Sequence, residues 1–130
     1  MSAGPGETGA AASENAPGIR RELTRLRIYI GEDDTHADEH GREQPLYEAI
    51  AARARDQGID GLTVTRGLVG FGPGSRREKV LLRRSEDRPI MIDIIDTEDS
   101  IESFLRVIEG IIGSGLAVTE RVTARRYGTR

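Results

Sequence analysis

The chain contains no cysteine, so disulfides and thiolate metal sites are closed to it. It has no apolar run long enough to cross a bilayer. Its first residues, Met1-Ser2-Ala3-Gly4-Pro5-Gly6-Glu7, lack the basic and apolar regions of a secretory signal, and the expectation is a cytoplasmic protein. Lysine is nearly missing. Of 19 basic residues only Lys79 is one, a bias that bears more on base composition than on function. A positive surplus is missing too: the formal net charge is -3 over 130 residues. A dedicated nucleic-acid binder usually carries a broad basic surface, so none is expected here. Catalytic groups are sparse as well. The only histidines are His36 and His40, and Ser75, Ser85, Ser100, Ser103 and Ser114 have no evident base partner in sequence. The expectation is one domain without enzymatic activity.

What is present reads as a tail followed by two similar units. Residues 1–21 are mostly Gly, Ala, Ser, Pro and Glu. Such a segment buries too little to offset its ordering entropy and is expected to be disordered, with the domain spanning 22–130. Leu26, Ile28 and Ile30 alternate with Arg25, Arg27 and Tyr29, the period of a strand. An acidic loop is expected from Gly31 to Glu43. Pro45 suits the first turn of a helix that Gly58 stops, with Leu46, Ala49, Ile50 and Ala54 on one face. Leu62–Thr65 and Ile90–Ile95 read as strands. Asp96 or Thr97 caps a second helix with the stripe Ile101, Phe104, Leu105, Ile108, Ile111 and Ile112, ended by Gly113 or Gly115. A last strand covers about Leu116 to Ala124.

The order β-α-β, loop, β-α-β predicts an α+β, ferredoxin-like βαββαβ sandwich, with a long loop between strands 2 and 3 and both helices on one sheet face. Leu26, Ile28, Ile30, Leu62, Val64, Ile90, Ile92 and Ile94 would face the helices. Tyr29, Thr63, Thr65, Met91, Asp93 and Ile95 would share the other face with Arg27. That face is too apolar for open water, and its cover is expected to be another copy of the chain.

Three stretches carry candidate chemistry. The first holds Gly67, Gly70, Gly72 and Gly74, a density used where backbone must approach something closely. It is neither a Walker A motif nor a dinucleotide fingerprint, since no Gly-Lys-Ser/Thr and no immediate helix follow. From Arg66 to Arg88 seven basic residues stand against three acidic ones. An anion-binding nest and a solvated hairpin both fit this pattern. The second stretch carries Arg121, Arg125, Arg126 and Arg130. Alternation sets Arg125 and Arg126 on opposite sides of a strand, and arginine suits bidentate phosphate recognition. The third is Gly31 to His40, where His36 and His40 lie four apart among carboxylates. On a helix they could ligate a divalent ion. As a loop the stretch is simply a solvated acidic run.

The blocks Leu26-Arg27-Ile28-Tyr29-Ile30-Gly31-Glu32, Pro45-Leu46-Tyr47-Glu48-Ala49-Ile50, Thr63 to Gly72, Ser85-Glu86-Asp87-x-Pro89 and Ile94-Ile95-Asp96-Thr97-Glu98 closely resemble the uncharacterised domain of unknown function 190 family. The resemblance runs from about Leu26 to Tyr127, and that family is similar to the PII signalling proteins. It implies a homotrimer of ferredoxin-like subunits, with ATP, ADP or AMP bound as effector in clefts between subunits. The implied effector site takes in Thr65, Gly70, Phe71, Gly72, Gly74, Arg125 and Arg126. The implied partner loop includes Ser75, Arg76, Arg77 and Lys79, and a membrane transport or channel protein is the implied partner. No tyrosine lies between Pro73 and Arg88, so uridylylation of the enteric PII kind has no acceptor there. Gly70-Phe71-Gly72 is followed by Pro73-Gly74-Ser75-Arg76 instead of the Arg-Gln-Lys-Gly of PII proteins. No resident cofactor is implied, and the metal alternative rests on His36 and His40.

Overall fold

The computed structural model describes residues 18–69 and 88–128. The elements are β1 (Ile19–Gly31), β2 (Thr35–Ala37), β3 (Glu43–Pro45), α1 (Leu46–Asp56), β4 (Leu62–Arg66), β5 (Pro89–Asp96), α2 (Glu98–Ile108) and β6 (Leu116–Arg126). Four of them form one antiparallel sheet in the order β4-β5-β1-β6. With two helices, this is the ferredoxin-like α+β architecture.

The central pair explains why the sheet holds. β1 and β5 set Leu26 opposite Ile94, Ile28 opposite Ile92 and Ile30 opposite Ile90. These branched side chains fill one face and are buried. α1 covers them with Leu46, Ile50 and Ala54, and α2 with Ile101, Phe104 and Ile108. Cross-strand pairs of this kind fix register, because a one-residue slip would turn the apolar set to the other face. Leu62 and Val64, expected in the same layer, are only partly covered. Val64 is 36% exposed, because β4 is an edge strand paired to β5 alone among the described residues.

Local chemistry places both helices. Pro45, at φ -59, precedes α1, and Gly58 closes it at φ 77, a left-handed position suited to glycine. Thr97 caps α2, its Oγ1 accepting from Ser100 N at 3.2 Å, and Glu98 and Asp99 face the positive end of the helix dipole. α2 ends at Ile108, earlier than the sequence stripe suggests. Ile111 N and Ile112 N both donate to Ile108 O in a turn, so these isoleucines reach the core from outside the helix.

Two boundaries differ from the sequence reading. β1 begins at Ile19 instead of near Glu22, because β6 runs on to Arg126 and pairs with it through Ile19↔Arg126 and Arg20↔Arg125. Residues 1–17 lie outside the described part of the chain. The acidic stretch is a two-stranded ribbon, β2–β3, not a loop. Asp38 Oδ1 accepts from His40 N and Arg42 N, both at 2.8 Å, and Gly41 turns at φ 82. Side-chain carboxylate bonds to the backbone of a tight turn are a known use of aspartate.

Candidate functional site on the outer sheet face

The sheet face away from the helices is built in rows. The first is Thr65–Met91–Tyr29–Leu116 and the second Thr63–Asp93–Arg27–Val118. Next come Ile95–Arg25–Glu120, after which the β1–β6 ribbon runs on alone to Ile19 and Arg126. Strand alternation alone assigns these residues to one face.

At one end the face is apolar. Tyr29, Leu116 and Val118 are exposed, at 37%, 48% and 43%. The middle is a charged chain. Asp93 receives Arg27 Nε at 3.3 Å and lies 3.5 Å from Arg25 Nε, while Arg25 Nη1 donates to Glu120 Oε2 at 2.9 Å. The hydrogen bond to Asp93 first, and that with Tyr29 second, hold the Arg27 guanidinium above its ordinary pKa. Asp93 Oδ1 and Arg25 Nε are buried and lack hydrogen-bonding geometry to any partner.

Along the β4 side, from Thr65 toward the other end, runs a shallow depression. Its lining includes Asp60, Thr63, Thr65, Asp93, Ile95 and Arg126. Thus the structure brings Thr65 and Arg126 to one depression although nearly half of the chain separates them. The guanidinium of Arg126 is ion-paired with Asp60. Arg125 is exposed and lines an adjacent hollow with Ile19, Arg21, Leu23 and Arg126. The depression therefore offers two threonine hydroxyls, one arginine fork and two carboxylates. Hydroxyls and a guanidinium donate to phosphate or carboxylate oxygens. Sequence reasoning missed Asp60. Its only signal was the turn pattern Gly58-Ile59-Asp60-Gly61, which marks a loop and not its neighbour in space.

Gly70, Phe71, Gly72 and Gly74, expected at the effector site, and Ser75, Arg76, Arg77 and Lys79, expected in the partner loop, lie outside the described residues. The mouth of that segment is described. Gly67 N donates to Pro89 O at 2.7 Å and Glu32 N to Arg88 O at 2.8 Å. Arg66 Nη2 reaches Glu32 Oε2 at 2.9 Å. A Cβ on Gly67 would meet Pro89 Cγ at 2.8 Å, so glycine permits this close approach.

The metal alternative fares differently. His36 sits in β2 opposite Gln44, and His40 lies at the ribbon turn, its Nε2 3.8 Å from Glu39 Oε2. The two are not one turn apart on a helix, the arrangement that would have made them neighbours. Among the described residues no group of three or more His, Cys, Asp or Glu side chains could hold a metal ion.

Comparison with known proteins agrees with this architecture. Residues 23–124 match the family model DUF190, described as an uncharacterised ACR family. A UPF0166 protein of Aquifex aeolicus is 34% identical over 94 residues, 71% of this chain and 82% of that protein. A UPF0166 protein of Methanocaldococcus jannaschii is 31% identical over 94 residues, 72% of this chain and 82% of that one. Among solved structures, CPII of Thiomonas intermedia bound to ADP, AMP and acetate superposes with TM-score 0.54 at 20% identity, covering 82% of this chain and 92% of that chain. A candidate PII-like signalling protein of Thermus thermophilus gives TM-score 0.52 at 16% identity, with the same coverage. The chain belongs to the DUF190 family and has the fold of the PII-like proteins.

Proposed function

We propose that the chain is a non-enzymatic, PII-like regulatory protein whose effector is an adenine nucleotide bound in clefts between subunits. The observation that carries this reading is the depression shared by Thr65 and Arg126 on the outer sheet face. It supplies donors for an anion and is open on one side. A second copy laid on the apolar rows of Tyr29, Leu116 and Val118 would wall it in and cover that surface. The structures of CPII bound to ADP, with AMP and acetate or with bicarbonate, support a nucleotide as the class of effector. Residues between β4 and β5 would transmit occupancy to a partner, for which the family resemblance suggests a membrane transport or channel protein. Among the described residues no helix is long and apolar enough to cross a membrane.

Titration calorimetry with ATP, ADP and AMP tests the reading. Arg126→Gln should weaken nucleotide binding by about 1.5–3 kcal/mol, the usual worth of a charge-assisted hydrogen bond. Arg125→Ala should cost less, since Arg125 is exposed and lines only the neighbouring hollow. Both effects should shrink with added salt. Nucleotide affinity untouched by Arg126→Gln, in a folded protein, would move the site elsewhere.

A further inference from the structure

The ion pair between Arg126 and Asp60 lies on the rim of the depression and joins the last residue of β6 to the turn between α1 and β4. Neither partner is loosely placed. Gly58 N donates to Arg55 O at 3.1 Å and Ile59 N to Ala54 O at 3.0 Å, which fixes the turn at the end of α1. The backbone N of Asp60 donates to Asp96 Oδ2 at 3.1 Å, while Asp96 Oδ1 accepts from Thr97 N at 2.7 Å. The Asp60 carboxylate is thus presented from a turn tied to the ends of both helices. Arg126 is held by the pairing of β6 with β1 at Ile19. Their side chains are 38% and 33% exposed, so water screens their attraction without removing it.

A guanidinium committed to a carboxylate offers fewer N–H groups to a phosphate. If Arg126 is to bind an anion in this depression, it must leave Asp60 or share itself with it. We propose that Asp60 is an internal competitor for Arg126, a latch that the effector's phosphate displaces. The proposal rests on the reading of Arg126 as a phosphate ligand. In this arrangement Asp60 sets the affinity threshold for anionic ligands and leaves neutral ones unaffected. Displacement also frees the end of the β1–β6 ribbon from the α1–β4 turn. Site occupancy then reaches the turn that leads into β4, the strand from which residues 67–88 depart. The latch costs binding energy and couples the site to that strand in the same step.

The test is a double-mutant cycle read by calorimetry with ADP and with adenosine. Asp60→Asn keeps the shape and the backbone bond to Asp96 but removes the charge. It should tighten ADP about two- to fivefold, the range of a part-exposed ion pair. Adenosine should bind as before. In an Arg126→Gln background, Asp60→Asn should give no gain, because the latch has already lost its partner. A gain that persists there would show that Asp60 merely repels phosphate, and would overturn the latch. An unchanged ADP affinity in Asp60→Asn, with binding still weakened by Arg126→Gln, would also overturn the latch and leave the nucleotide reading standing. An ADP affinity indifferent to Arg126→Gln would remove both the phosphate role of Arg126 and the latch. Asp60→Ser carries the same expectations should the asparagine variant fold poorly.

Discussion

Single residues divide sharply between those that hold the fold and those that face the site. Phe104 is fully buried between the helices and the sheet. Phe104→Ala should cost about 3–5 kcal/mol, from lost transfer energy and the cavity left behind, and urea unfolding would measure it. A loss under about 1 kcal/mol would mean that the core collapses around the gap. Arg27 works differently. Its pKa is raised by Asp93, so its contribution to stability is present below the ordinary arginine range and fades only as pH rises through the raised value. Arg27→Lys places a group of ordinary pKa about 10.4 in the same position. The stability deficit of that variant against the wild type should therefore widen only as pH rises past about 10, through the lysine range, in thermal scans. A deficit constant across that window would show that geometry, not charge, separates the two side chains. The sequence already set Arg27 and Asp93 on one face by alternation. It could not show that Asp60 meets Arg126, because that contact depends on how far β6 runs and where the α1–β4 turn lies.

Among the elements, the helices were the most legible. Ile101, Phe104 and Ile108 recur at helical spacing, and Thr97 precedes them as a cap acceptor. Thr97→Ala should cost about 1 kcal/mol, while Thr97→Ser should cost little, because the serine hydroxyl can still accept from Ser100 N. Equal losses in the two variants, read by chemical unfolding, would assign the effect to the threonine methyl instead of the cap. The ribbon β2–β3 was not legible. Three-residue strands give too little alternation to stand out, and its high charge reads as a solvated loop. The end of α2 was misplaced for a related reason. Ile111 and Ile112 continue the apolar count, yet Gly110 sits within the turn that carries them away from the helix.

At the scale of the whole molecule, the proposed assembly and the proposed effector site both fall on the outer face. Its apolar rows end in Tyr29, Leu116 and Val118, its charged middle leaves Asp93 Oδ1 and Arg25 Nε without hydrogen-bond partners, and its far end holds Asp60 and Arg126. A second copy covering this face would take its apolar area from water. The proposed assembly is a trimer, and sedimentation equilibrium at micromolar concentration should give three subunits. Val118→Arg tests the link to function. Val118 is exposed on an edge strand, so the change should leave the subunit folded while burying an uncompensated charge in the proposed interface. The variant should sediment as a monomer with a circular dichroism spectrum like the wild type. If the effector site lies between subunits, the same variant should lose nucleotide binding although Thr65, Asp60 and Arg126 are untouched. A folded monomer that still binds ADP at wild-type affinity would confine the site to one subunit. A trimer surviving Val118→Arg would take the interface off this face.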